Sequence, residues 1–303
     1  MQTATEHPSS HSRQEVAEKR AALFRETPRD VMERILLGSV WAMQPKRLKD
    51  WPPYLQARLA DLLAPVAIPD PERSFGDAGY AGRVRDLSVP TLIEAYRRGL
   101  FTFSHFGRQQ WISLPQRSVL FFDELHISKR LRRLMRQGEY TVTFDRDFEG
   151  VITACSGRRS GRWHLTWITP EIMRAYAALF DAGHVHSFEV WNKKGALVGG
   201  GYGVAVGRVF FTESQFTHED NTSKLGFTVL NWHLARWGFS INDGKYPTRP
   251  TIDMGFRVIP RPEFLRILGA GMDFDAKHGR WQVEDGPDVV ANWQPQANAL
   301  AAE

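Results

Sequence analysis

Apolar positions along the chain follow two periods, helical near the N-terminus and alternating in the middle. Val31, Ile35, Leu36 and Val40 recur at helical spacing, and Tyr54, Leu55, Leu59 and Leu62 do the same. Residues 13–65 therefore predict a helical extension of two or three helices. Residues 1–12 contain Ser9, Ser10 and Ser12 and few apolar positions, which predicts a disordered tail. The Pro- and Gly-rich run PVAIPDPERSFGDAGYAG (65–82) reads as a linker or long loop. In DLSVPTLIEAYRRGLF, Asp86 or Ser88 can cap a helix whose apolar face is Leu92, Ala95 and Tyr96. Pro90 sits in its first turn and Gly99 at its stop.

Beyond this point strands dominate. SVLFFDELHIS predicts a strand leading into a helix near Ser128, and YTVTFDRDF alternates as a strand should. Thr169 or Pro170 to Ala182 is helical. HSFEVW, ALVGGGYGVAV and RVFFTESQF then read as three antiparallel strands, with hairpins at Asn192–Gly195 and Gly207–Arg208. A helix from Thr222 to about Trp237, a short strand near Ile241 and a helix from Pro262 to Leu268 complete the pattern, and residues 271–303 lose periodicity and read as a peripheral tail. This order predicts an α/β (α+β) fold, a mixed, largely antiparallel sheet flanked by helices. A small N-terminal domain is expected over 66–124 and a catalytic domain over 125–270.

Composition changes the picture little. The chain has 303 residues, 42% of them hydrophobic, enough for a sizeable core. No apolar run is long enough to span a membrane, and the opening MQTATEHPSSHSRQEVAEKR lacks the apolar stretch of a secretory signal. The single cysteine, Cys155, allows no internal disulfide and no thiolate-rich metal site, so a cytoplasmic protein is expected. Charge says more by placement than by its total of +5. Lys129, Arg130, Arg132, Arg133 and Arg136 fall on one helix, and Arg158, Arg159 and Arg162 form a second cluster. Both suit contact with phosphates. A solvated helix face and a basic loop account for them equally well.

Several motifs invite chemistry, each with a plainer explanation. Glu213 ends an apolar strand and Asp243 precedes Gly244, positions that suit a strand-end charge and a turn residue. The GGGYGV run lacks the Lys-Ser/Thr ending and following helix of a phosphate loop, and fits a strand approached closely by substrate or backbone. His184 and His186 read as structural.

Taken together, DLS (86–88), AYRRGLF (95–101), LHIS (125–128), TWIT (166–169), GHVHSFEVW (183–191), LVGGGYGVAVG (197–207), ESQF (213–216), NTSK (221–224) and Asp243 followed by Gly255 and Pro260 resemble, in order, the leucyl/phenylalanyl-tRNA–protein transferases. The resemblance covers Gly79 to Leu268, and residues 1–70 have no recognised counterpart. It implies an acetyltransferase-like (GNAT-like) fold and an activity: moving an aminoacyl group from the 3′ end of charged tRNA to the amine of a protein N-terminus. It implies neither metal nor cofactor, since the ester is already activated and the enzyme mainly orients two substrates. A monomer is expected.

The resemblance implies Asp243, Glu213 and Lys245 as the catalytic set. It implies Trp167, Phe103, Trp111, Gly201, Gln215, Phe216 and Asn242 around the substrate, with the basic clusters holding tRNA. The pattern also departs from the family. Phe101, Thr102 and Phe103 stand for Phe-Pro-Trp, which removes an indole. Gly201 and Gln215 replace two methionines of an apolar pocket, and Asn242 replaces an apolar residue. Lys245 replaces a glutamine, and Thr248, Pro250 and Asp253 stand in place of an Asn-x-His-x-x-Ser run. A buried Gln or Asn needs a hydrogen-bond partner, and a lysine there can stabilise an oxyanion while repelling a basic acceptor. Two other functions remain open: an acyltransferase of the same fold using a thioester donor or a small-molecule acceptor, and an RNA-binding relative without chemistry.

Overall fold

The computed structural model describes residues 10–105, 107–158, 164–274 and 279–295. Three helices form the N-terminal extension: α1 (Ser10–Leu23), α2 (Pro28–Ala42) and α3 (Trp51–Leu63). Thr27 and Asp30 close a capping box at the start of α2, with Pro28 in its first turn. The residues expected to be disordered thus include the first turn of α1 at 10–12, and residues 1–9 lie outside the described residues. The period that predicted α2 and α3 is correct, yet its apolar stripe faces outward: Leu36 is 62% exposed and Leu62 71%. Other residues attach the extension. Phe24 and Ala57 are buried, and Arg20 forks onto Asp181 at 2.6 and 2.8 Å while its Nε donates to Glu149 at 2.9 Å. Arg85 forks in the same way onto Asp61 of α3 at 2.6 and 2.8 Å.

A small antiparallel sheet follows, built from β1 (Tyr80–Arg83), β2 (Phe101–Phe103) and β3 (Gln110–Ile112) in the order β1-β3-β2, with α4 (Val89–Arg97) between its first two strands. Its strands are three or four residues long, too short for a periodic signal. Leu92, Ala95 and Tyr96 of α4 are buried, as their spacing predicts.

The main layer is a seven-stranded sheet. Its strands are β4 (Gln116–Phe121), β5 (Tyr140–Phe144), β6 (Val185–Asn192), β7 (Leu197–Val206), β8 (Val209–Thr217), β9 (Ile241–Lys245) and β10 (Arg257–Pro260), and the spatial order is β10-β4-β9-β8-β7-β6-β5. All neighbours pair antiparallel except β8 and β9. The mixed, largely antiparallel sheet flanked by helices is therefore what forms. One face packs α4, α6 (Phe148–Ser156), α7 (Pro170–Asp181) and α10 (Arg261–Ala270). The other packs α5 (Lys129–Arg136), α8 (Thr222–Arg236) and α11 (Pro287–Val290). A short α9 (Arg249–Ile252) joins β9 to β10.

Two expected divisions of the chain meet the structure differently. β4, on the N-terminal side of the boundary drawn at 124, lies inside the main sheet between β10 and β9. The stretch expected as a peripheral tail reaches the core: Trp281 is buried and stacks on His186 at 3.6 Å between ring centroids, and Val290 and Ala291 are fully buried. Aperiodic sequence hid this, because Trp281 plugs the sheet face from outside any helix or strand and α11 is only four residues long. His186, anchored to Asp145 at 2.8 Å, is structural, as its sequence context suggests.

Glu189 of β6 is fully buried and accepts hydroxyl hydrogen bonds from Ser187 (2.5 Å) and Thr143 (2.6 Å). Burial, only partly offset by those hydroxyls, pushes its carboxyl up to about 7. The folded state then holds a proton that the unfolded state releases, so this group opposes folding as pH rises from the unfolded carboxylate range toward 7. Burial pushes His105 down to about 4, which gives the opposite slope, but that slope is shared by wild type and a Glu189 variant. Relative to Glu189→Gln, wild type should lose about 3 kcal/mol of unfolding free energy across that window. Denaturant titrations of both proteins at a series of pH values check this, and parallel pH profiles would refute it.

Candidate active site

β8 and β9 pair in parallel as far as Phe211 and Asp243. Two residues further on, Glu213 and Lys245 meet across the gap, with Lys245 Nζ 2.6 Å from Glu213 Oε1 and 2.7 Å from the Thr212 carbonyl. Their side chains are 1% and 7% exposed for Glu213 and Lys245 respectively. Tyr96 of α4 donates to the same Glu213 oxygen at 2.6 Å, and its hydroxyl lies 2.6 Å from that of Tyr176 on α7. Burial, reinforced by the Glu213 charge, pushes both phenols well above their ordinary range. They stay protonated and serve as donors. The result is a buried carboxylate held by an ammonium and a phenol.

Lys245 adopts a left-handed backbone conformation, with φ of +62°, at a cost on the order of 1–3 kcal/mol for a residue with a side chain. Its amide donates to Asp243 Oδ1 at 2.9 Å, which holds that geometry. Asp243 is itself enclosed. Arg117 of β4 donates to it from Nε at 3.0 and 3.1 Å and from Nη2 at 2.7 Å, and the two side chains are 0% and 1% exposed for Asp243 and Arg117. Nη1 of Arg117 reaches the Gly99 carbonyl at 3.0 Å, and Phe101 and Phe264 lie against the guanidinium at 4.9 and 4.4 Å. Both Asp243 oxygens are thus engaged by Arg117 and the Lys245 amide. Through that amide Asp243 fixes the backbone from which the Lys245 side chain departs.

The remaining expected residues separate. Phe103 and Trp167 are half-buried, 6.2 Å apart and tilted by 44°, and Trp167 also meets Tyr176 at 6.1 Å. They stand beside the Glu213 cluster. Phe216 is buried in the core on that same face of the sheet. Trp111 is set apart from this cluster: it is fully buried in β3 and its indole donates to the Ala67 carbonyl at 3.0 Å. Asn242 is also set apart. It is fully buried toward α8, where it donates to Asn231 at 2.9 Å and accepts from Thr212 at 2.7 Å. Its polar group is satisfied by protein rather than by a polar substrate. Gly201 faces Gln215 in the β7–β8 register. A Cβ at Gly201 would come within 2.8 Å of Phe188, Gln215 and the Ser214 carbonyl, so glycine there fits close packing on the α8 side, not an emptied pocket.

The basic clusters are only partly free. Arg132 donates to the Ala291 and Trp293 carbonyls at 2.7 and 2.6 Å, and Arg136 donates to Asn292 Oδ1 at 2.9 Å. These two fasten the C-terminal segment, which leaves Lys129, Arg130 and Arg133 of that helix exposed. Arg158 pairs with Glu33 of α2 at 2.9 Å, and Arg159 and Arg162 lie outside the described residues. Arginines also meet in a groove of about 860 Å³ lined by Arg25, Arg34, Arg83, Arg85, Arg108 and Arg174 together with Glu26 and Glu171, where Arg34 pairs with Glu26 and Arg85 with Asp61. Gln109, on the same wall, donates to the Trp167 carbonyl at 3.3 Å. Among the described residues, no cluster of three His, Cys, Asp or Glu side chains is arranged to hold a metal ion.

Tyr96, Tyr176 and Arg117 were not read as site residues. Tyr96 and Tyr176 sit at apolar positions of amphipathic helices, where a phenol counts as core. A sign was available for Arg117, since a cation beginning an apolar strand requires an acid partner. That acid, however, lies 126 positions away.

Fold and site define a mixed α/β protein with a buried carboxylate–ammonium–phenol cluster beside an aromatic cleft, an arrangement suited to binding an amine and polarising a carbonyl. Residues 119–269 match the family model described as leucyl/phenylalanyl-tRNA protein transferase. A leucyl/phenylalanyl-tRNA–protein transferase of Azotobacter vinelandii is 49% identical over 189 residues, covering 62% of this chain and 83% of the relative. One from Pseudomonas fluorescens is 46% identical over 193 residues, 63% of this chain and 84% of the relative. One from Maridesulfovibrio salexigens is 39% identical over 226 residues, 74% and 94%. The chain belongs to the leucyl/phenylalanyl-tRNA–protein transferase family.

Replacing Asp243 by Ala leaves Arg117 buried without a counter-charge, which should destabilise the protein by about 3–5 kcal/mol. The double replacement Arg117→Met with Asp243→Leu should recover much of that loss. Urea titrations of the single and double variants measure both, and a single variant as stable as wild type would show that the pair does not support the fold.

Proposed function

We propose that this protein transfers an aminoacyl group from charged tRNA to the α-amine of a protein or peptide N-terminus, with Glu213 and Lys245 as its catalytic residues. The observation that carries this reading is the enclosed Glu213–Lys245 pair beside the Phe103–Trp167 aromatics in a member of this family. The terminal adenosine stacks on the surface that Phe103 and Trp167 present together, where stacking contributes on the order of 1–3 kcal/mol. The incoming ammonium displaces Lys245 from Glu213, which accepts its hydrogen bonds. The ammonium gives up one proton to water, its nitrogen attacks the ester carbonyl, and a second proton of that nitrogen is the one passed on to the leaving ribose oxygen. A C–N bond forms, the bond from the carbonyl carbon to the ribose oxygen breaks, and this second proton reaches that oxygen. The Lys245 ammonium stands where it can stabilise the oxyanion of the intermediate. Asp243 acts through Lys245 by fixing its backbone.

The fold that accompanies this reading is acetyltransferase-like (GNAT-like). No described helix is long and apolar enough to cross a membrane, and the proposed setting is the cytoplasm, with the enzyme acting as a monomer. Lys129, Arg130 and Arg133, together with the arginine groove beside Trp167, hold the tRNA backbone through phosphate contacts that carry no sequence information.

A panel of radiolabelled aminoacyl-tRNAs tested against peptides with different N-terminal residues decides the activity. Transfer from none of them overturns the reading. Salt-sensitive tRNA binding without product would instead favour a binding role, and stabilisation by acetyl-CoA a thioester donor.

Lys245 places a positive charge where the family carries glutamine. Lys245→Gln should therefore raise transfer to peptides beginning with Arg or Lys relative to those beginning with Ala, read as the ratio of kcat/KM values. An unchanged ratio would mean that Lys245 does not sense the acceptor. Arg83→Ala with Arg108→Ala should weaken tRNA binding and make the slope of log affinity against log salt shallower by about 1–2. An unaltered slope, measured by filter binding, would remove the groove from the tRNA path.

A further inference from the structure

The aromatic cleft does not end at Phe103. The Phe103 ring meets His105 at 4.7 Å, His105 meets Trp41 of α2 edge-on at 5.2 Å, and the Arg47 guanidinium lies 4.4 Å from the Trp41 ring. On its other side Phe103 meets Tyr246, the residue after Lys245, at 5.9 Å. These rings border a cavity of about 310 Å³ that also includes Lys49, a size within the range of small-ligand sites. One wall of the cavity therefore comes from the extension, the part of the chain for which the family offers no counterpart.

Three features indicate what the cavity takes. Its walls are ring faces and edges, which suit a flat, sequence-tolerant partner such as a nucleobase. The Arg47 Nε is buried with no hydrogen-bond partner, although its Nη1 reaches Asp50 at 3.3 Å. Lys49, at the same wall, pairs with Asp77 at 3.4 Å, and Asp50 and Asp77 also line the cavity. A ring-lined site with an unpartnered guanidinium N–H at its edge matches a nucleotide, base against the rings and a phosphate oxygen accepting from Arg47 Nε. The cavity is also continuous with Phe103, where the family's tryptophan is missing, and Trp41 brings an indole to that neighbourhood from a different part of the chain.

We propose that the N-terminal extension is part of the donor site, with Trp41 and Arg47 binding the nucleotide that precedes the terminal adenosine of the charged tRNA. This rests on the aminoacyl-transfer reading above. The extension then grips the acceptor end beyond the adenosine and recovers contact area lost with the Trp-to-Phe change at 103. Trp41 and Arg47 touch the donor away from the reacting bond, so they should affect KM for a long donor and leave kcat in place.

Two donors separate the possibilities: full charged tRNA and an aminoacyl-adenosine carrying the same aminoacyl group. Trp41→Ala should raise the KM for charged tRNA about tenfold, with kcat retained and the KM for aminoacyl-adenosine unmoved. Trp41→Phe should recover most of the tRNA affinity, and thermal melts confirm that each variant is folded. Arg47→Ala should raise the tRNA KM and flatten its salt dependence. The proposal is overturned if the tRNA KM of Trp41→Ala equals wild type, or if both donors lose equally. A rise in the KM of the peptide acceptor alone would also overturn it and assign the cavity to the acceptor. If wild type transfers from no charged tRNA, the functional reading itself fails. A fully active wild type with an indifferent Trp41→Ala defeats only the role of the extension.

Discussion

The buried ion pair between Arg117 and Asp243 sets the geometry on which the rest of the site depends. It links β4 to β9 at the edge of the parallel β8–β9 pairing, and it is closed off from water by Phe101 and Phe264. Two charges taken from water are tolerated only when their hydrogen bonds are complete. Here the guanidinium forks onto the carboxylate and its remaining Nη1 finds the Gly99 carbonyl at the end of α4. The pair therefore ties the main sheet to α4 and to the small sheet that follows it. It also leaves one carboxylate oxygen to receive the Lys245 amide, which holds that residue in its left-handed turn.

From that turn the lysine side chain crosses to β8 and meets Glu213. The lysine is unusual for this family position, and its conformation is one that side chains avoid. Both features make sense together: the strained backbone directs Nζ at the Thr212 carbonyl and the Glu213 carboxylate, and the ammonium offsets a carboxylate that would otherwise be buried beside two phenols. Tyr96 and Tyr176, on helices separated by 80 positions in sequence, complete the cluster. An acceptor amine competes with Lys245 for the same oxygen, so acceptor choice becomes a contest between two cations for one anion.

The extension joins this arrangement by an unexpected route. Its apolar stripe, the feature that predicts helices α2 and α3, points outward, while its attachment relies on arginine forks and on the aromatic contact from Trp41 through His105 to Phe103. Periodicity reports that a helix has an apolar face, not which surface that face meets.

Local rules written into the sequence determined the helices, the alternating strands and their hairpins, because caps, turns and periods act over a few residues. Glu213, Lys245, Phe103 and Trp167 came instead from the resemblance to a family, carried by motifs in order along the chain and by the places where this chain departs from them. Tertiary structure alone decided the partners. It joined Arg117 to Asp243 across 126 positions and engaged both oxygens of that carboxylate. It sent Asn242 to the α8 face and Trp111 into the core, and drew Trp281 out of an aperiodic tail to cover His186. The physical reason is the same each time. Whether a polar or aromatic side chain acts, supports or fills depends on what desolvates it and what satisfies its hydrogen bonds, and those neighbours come from segments that no local window contains.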